Sequence, residues 1–82
     1  MNITIAGLGY VGTSLAALFS NKHSVVAIDI NSEKVSSVNS KLSPIDDDEI
    51  SKYFKKNSLN LIATQDPVEA YNNADFIIIC TQ

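Results

Sequence analysis

The stretch that most constrains this chain is its opening one, Ile3-Thr4-Ile5-Ala6-Gly7-Leu8-Gly9-Tyr10-Val11-Gly12. A mostly β-branched run enters Gly7-x-Gly9-x-x-Gly12, and a helical pattern leaves it. Residues 2–6 read as a parallel strand, because a strand buried on both faces is a near-continuous apolar run. Glycines at this spacing, between a strand and a helix, form the dinucleotide-binding fingerprint in the context it requires. Gly7 permits a tight turn, Gly9 lets a pyrophosphate approach the backbone, and Gly12 lets the helix pack close to the strand. The unpaired N–H groups at the helix start then face the phosphates.

The rest of the chain continues the alternation. Val11, Leu15, Leu18 and Phe19 recur at helical spacing, which predicts a helix from Tyr10 to about Asn21 with these residues inward. Val25–Ile28 is a second buried strand, ending at Asp29. Two strands joined through one helix within about 30 residues make a right-handed βαβ unit. Asn31 or Ser32 caps a second helix, with Val35, Val38 and Leu42 on its inner face, and Ser43-Pro44 breaks it. The acids Asp46–Glu49 and the terminal Lys55-Lys56 suit the dipole of a short third helix carrying Ile50, Tyr53 and Phe54. Leu59–Thr64 is a third strand. Asp66 as N-cap, Pro67 at N1 and Glu69 as the far member of a capping box start a fourth helix that ends near Asn73. Phe76–Cys80, the most apolar run, reads as a central strand.

This order predicts one α/β domain over residues 1–82, the first half of a Rossmann-type parallel sheet in strand order 3-2-1-4 with flanking helices. Ligands bind such sheets beyond the carboxyl ends of the strands, at the switch between strands 1 and 4. Gly7–Gly12 and Thr81-Gln82 both fall at that edge.

Asp29 ends strand 2, 17 residues after Gly12. An acid there accepts from both hydroxyls of the adenosine ribose, through charge-assisted bonds of about 1.5–3 kcal/mol. It also repels a 2′-phosphate, which selects NAD over NADP. The competing reading, a cap for the following helix, is already supplied by Asn31 and Ser32. Lys34 reads equally as a cation flanking the ribose or its phosphate and as an ordinary exposed lysine.

Composition excludes several functions. The net charge is −3, the pI is about 4.7, and the six cations are all scattered lysines. No basic patch exists to bind nucleic acid or an anionic membrane. Cys80 is the single cysteine, so there is no internal disulfide or CxxC metal knuckle. It reads as a buried structural thiol, His23 as a surface histidine, and Asp46–Glu49 as a helix start without calcium-loop spacing. We assign no catalytic and no metal-binding residue. The N-terminus lacks a basic signal-peptide region, and no apolar run approaches the roughly 20 residues of a membrane span. A cytoplasmic protein is expected.

Gly-Leu-Gly-Tyr-Val-Gly12, Val25-Val26-Ala27-Ile28-Asp29-Ile30, Lys34-Val35, Ser43-Pro44-Ile45, Glu69-Ala70-Tyr71 and Ala74–Ile79 together resemble the N-terminal domain of the UDP-glucose/GDP-mannose dehydrogenases, in particular the UDP-glucose 6-dehydrogenase branch. The similarity covers essentially the whole chain. It implies oxidation of a UDP-sugar primary alcohol to a carboxylate with two NAD, UDP-glucose to UDP-glucuronate in that branch. It implies that the backbone of Gly7, Leu8, Gly9, Tyr10, Val11 and Gly12 holds the pyrophosphate, and that Val11, Asp29 and Lys34 contact NAD. Thr81 matches the first threonine of the family's Thr-Pro-Thr against the cofactor, but Gln82 stands where proline is usual. The family's catalytic cysteine, its lysine and its sugar-binding residues match nothing here, and Cys80 is not that cysteine. The chain alone is therefore expected to be inactive, with substrate held by domains it lacks. Two other readings share the motif: a free-standing NAD-sensing regulatory domain, and the cofactor domain of another NAD-dependent dehydrogenase. The apolar fourth strand, left bare, predicts a homo-oligomer formed through residues 75–80.

Overall fold

A computed structural model describes residues 1–80. Its elements are β1 (Asn2–Ala6), α1 (Tyr10–Phe19), β2 (Ser24–Ile28), α2 (Ser32–Asn39), α3 (Asp48–Lys56), β3 (Leu61–Thr64), α4 (Pro67–Tyr71) and β4 (Phe76–Ile79). The four strands form one sheet in order β3-β2-β1-β4, every neighbouring pair parallel. This is the predicted Rossmann-type order. Register sets Ile5 beside Ala27 and Ile78, and Ala27 beside Ala63. The core is built around these residues, with Ile3, Val25, Leu61, Val38, Ile50 and Phe54.

Caps follow the local chemistry. The Asn31 side chain accepts from the N–H groups of Glu33 and Lys34, Asp47 from Ile50, and Asp66 from Val68. Asp66 and Pro67 start α4 as expected, but the capping box does not close on Asp66. The Asp66 N–H donates to the Thr64 hydroxyl at 3.0 Å, so Glu69 has no donor to reach back to.

Three further expectations are corrected. The buried face of α1 is Gly12, Thr13, Ala16 and Ala17, whereas Val11 and Leu18 are 61% and 60% exposed. Small residues line that face because the glycine turn draws the helix against the sheet. Leu42 is 56% exposed and lies beyond α2. The helix ends earlier because Lys41 adopts a left-handed φ of 67°. The Lys41 N–H then bonds the Val38 carbonyl, and the Leu42 N–H bonds that of Ser37, a Schellman closure that turns the chain outward. Finally, β4 is an edge strand among the described residues, paired only with β1, as the order 3-2-1-4 and its bare fourth strand require and not central as its apolar run alone suggests.

Candidate functional site

The turn between β1 and α1 is held by consecutive bonds to the end of β2. Gly7 donates its N–H to the Ile28 carbonyl at 2.8 Å, and Leu8 donates its N–H to Asp29 Oδ2 at 2.8 Å. The Leu8 side chain is fully buried, which anchors the turn from below.

Gly7 takes φ of 106°, a conformation that L side chains rarely adopt. A Cβ there would lie 2.2 Å from the Cys80 carbonyl oxygen. A Cβ on Gly12 would lie 1.8 Å from the Gly7 carbonyl oxygen, so α1 can only reach this depth without one. Gly9 stands at the N-cap of α1 with no side-chain cap, and the first turn carries no acid. Among the described residues the N–H groups of Tyr10, Val11 and Gly12 donate no hydrogen bond outside the helix. An uncapped helix N-terminus with free donors is a ready anion site.

Two clefts meet at the switch between β1 and β4. One, about 620 Å³, lies between the start of α1 and the end of β4, with Gly9, Val11, Gly12 and Ile79 in its wall. The other, about 310 Å³, opens over the strand ends, with Gly7, Asp29, Tyr71 and Cys80 in its wall. Both fall in the range of ligand sites, and they share Ile79 and Cys80. A groove of about 260 Å³ between α1 and α3 is lined by Tyr10, Leu18 and Tyr53 and shares Tyr10 with the larger cleft.

The structure thus brings Gly7, Leu8, Gly9, Tyr10, Val11, Gly12 and Asp29 together. Lys34 lines neither cleft; its N–H serves the α2 cap. Thr81 lies outside the described residues. Sequence reasoning missed the tie from Asp29 to Leu8 and the second bond of that carboxylate, from the Asn31 N–H to Oδ1 at 2.8 Å. The Asp-x-Asn spacing is a signal for the latter, since Asp commonly accepts from the N–H two residues on. Cys80 is half-buried against the glycine turn, its Cβ 3.3 Å from where a Gly12 Cβ would be.

The sequence model described as UDP-glucose/GDP-mannose dehydrogenase family, NAD binding domain, matches residues 1–82. The chain belongs to this family. It is 47% identical over 81 residues to a UDP-glucose 6-dehydrogenase of Streptococcus pneumoniae, covering 99% of this chain and 21% of that protein. It is 48% identical over 83 residues to the Campylobacter jejuni UDP-glucose 6-dehydrogenase, again covering 99% and 21%. The crystal structure of a ternary complex of GDP-mannose dehydrogenase from Pseudomonas aeruginosa matches with a TM-score of 0.87 at 31% identity, over 100% of this chain and 20% of that one. The chain spans about one fifth of the length of the curated relatives it matches. It corresponds to the family's NAD-binding domain, and the cradle fits that cofactor: the glycine turn has no room for side chains, the helix donors are free, and an acid stands at the end of β2. No helix of the described residues is long and apolar enough to cross a membrane.

Proposed function

We propose that this segment is the cofactor domain of a UDP-glucose 6-dehydrogenase, which oxidises UDP-glucose to UDP-glucuronate with two NAD. Bound NAD supplies a hydride acceptor. The backbone N–H groups of residues 9–12 hold the pyrophosphate, Val11 packs beside the cofactor, and Asp29 accepts from the adenosine ribose with the oxygen lone pairs its backbone bonds leave free. Sugar binding and the catalytic groups belong to other regions of the full enzyme, so this segment alone catalyses nothing, and the protein works in the cytoplasm. The observation that carries the reading is the side-chain-free contact of Gly12 on Gly7 beneath an uncapped helix start. Identities of 47% and 48% to two UDP-glucose 6-dehydrogenases favour that branch over GDP-mannose 6-dehydrogenases, which reach 37%. The exposed apolar edge of β4 supports pairing with a second copy when nothing else covers it.

Calorimetric titration of the chain with NAD and NADP tests the cofactor choice. NAD is expected to bind at least about tenfold more tightly, since a carboxylate facing a 2′-phosphate is repulsive. Equal affinities count against the role of Asp29. In the full enzyme, turnover of GDP-mannose in preference to UDP-glucose would exclude the branch.

A further inference from the structure

We propose that the Asp29 carboxylate is a positioning group: it holds the glycine turn in its phosphate-facing shape before any nucleotide arrives. The inference rests on the NAD reading of the site and extends it from recognition to preorganisation.

Asp29 joins segments 21 residues apart. Oδ2 accepts from the Leu8 N–H at 2.8 Å, inside the glycine turn. Oδ1 accepts from the Asn31 N–H at 2.8 Å, in the turn that opens α2. Asn31 in turn accepts from Glu33 and Lys34. One carboxylate thus links the cap of α2 to the residue between Gly7 and Gly9. Only an acceptor on both sides does this. Asparagine would oppose one of the two N–H donors with its own NH2 group. An acid is therefore required at position 29 even without a ribose. The two functions are compatible, because a carboxylate has about four lone-pair sites and the backbone occupies two.

The consequence is that substituting Asp29 changes the turn as well as the ribose contact. A variant that removes the acid to admit a 2′-phosphate loses affinity for NAD and NADP together, because both need the turn.

Amide hydrogen exchange of the whole chain reads the clamp without a ligand. In Asp29→Ala the Leu8 amide is expected to exchange at least about tenfold faster relative to the Val25 amide, which bonds the Asn60 carbonyl in the sheet. Taking the ratio to Val25 removes any loss of global stability. An unchanged ratio overturns the proposal. Should Asp29→Ala fail to fold, Asp29→Asn serves: deprotection of Leu8 or of Asn31 is expected, and full protection of both overturns it. A second arm titrates wild type and variant with NAD and with an NAD analogue lacking both adenosine-ribose hydroxyls. A positioning role weakens the variant's binding of the analogue severalfold. Equal binding of the analogue by the two proteins leaves only a ribose contact and overturns the positioning role. A shifted Leu8 ratio with no binding of NAD to wild type supports the clamp and overturns the cofactor reading, so the two fail separately.

Discussion

The two edges of the sheet differ in a way their composition does not foretell. β3, Leu-Ile-Ala-Thr, is the less apolar strand, yet Leu61, Ala63 and Thr64 are buried. β4, Phe-Ile-Ile-Ile, has no fully buried residue, and Ile79 is 70% exposed. The cause is what each edge meets. α2 returns along β3, and its last residue, Asn39, lays its amide on the strand: Nδ2 donates to the Ala63 carbonyl at 2.9 Å and Oδ1 accepts from the Ala63 N–H at 2.8 Å. A side chain thereby takes the place of a further strand and closes that edge. β4 has no such partner among the described residues. It is held only from within, by β1, by the Asp75 carboxylate accepting from the Asn2 N–H at 2.8 Å, and by the Cys80 N–H bonding the Ala6 carbonyl at 2.8 Å. Burial at an edge is thus decided by the returning element and not by the strand's own hydrophobicity.

The largest break of this contrast is at the inner anchor of β4. Gly7→Ala puts a methyl 2.2 Å from the Cys80 carbonyl, at a φ that alanine disfavours. The expected cost is about 3 kcal/mol or more, from strain and displaced backbone together. Exchange of the β4 amides should rise more than that of the β3 amides; an equal rise would mean the two edges open as one unit. At the covered edge, Asn39→Asp turns the donating NH2 into an oxygen facing the Ala63 carbonyl. Loss of one bond and a new repulsion are expected to cost about 2–3 kcal/mol in urea unfolding, with Asn39→Ala milder at about 1–2 kcal/mol. If Asp proves milder than Ala, the amide is not the strand substitute described above.

Strand order and most caps were legible in the sequence because they rest on short-range patterns: apolar runs at β1, β2 and β4, Asn31 before a helix, Asp66-Pro67 at another. The inward face of α1 was not. Val11 and Leu18 fit helical periodicity, but the Gly12 contact on Gly7 turns Ala16 and Ala17 inward instead. Leu42 was misplaced because nothing in Ser40-Lys41 announces a left-handed residue. At the site, the glycines and Asp29 were readable as a fingerprint. The bond from Asp29 to Leu8 was not, since it needs β1 and β2 to be side by side. Centrality of β4 was inferred from composition, which reports an apolar environment and not whether this segment supplies it.

A smaller effect sharpens the bare edge. Ile79→Lys adds a charge to an exposed position and removes no core contact, so the denaturation midpoint should barely move. Self-association measured by sedimentation should weaken at least about tenfold, because a buried, unpaired lysine opposes strand pairing. Unchanged association would locate the contact elsewhere, the exposed Tyr10 and Leu18 beside α3 being the next candidates.

The smallest change acts on the covered edge from behind. Lys41 sits two residues after Asn39, at the left-handed position of the Schellman closure, with φ of 67°. A side chain there crowds the backbone by about 1 kcal/mol, and glycine relieves it while adding unfolded-chain entropy. Lys41→Gly should therefore stabilise by about 0.5–1 kcal/mol, seen as a higher urea midpoint at unchanged slope. Lys41→Ala separates the causes, since it removes the long side chain and keeps the Cβ: no gain is expected from it. A gain from alanine equal to that from glycine would trace the strain to the lysine side chain instead of the backbone. The end of α2, and with it the hold of Asn39 on Ala63, would then be set by surface packing and not by the turn.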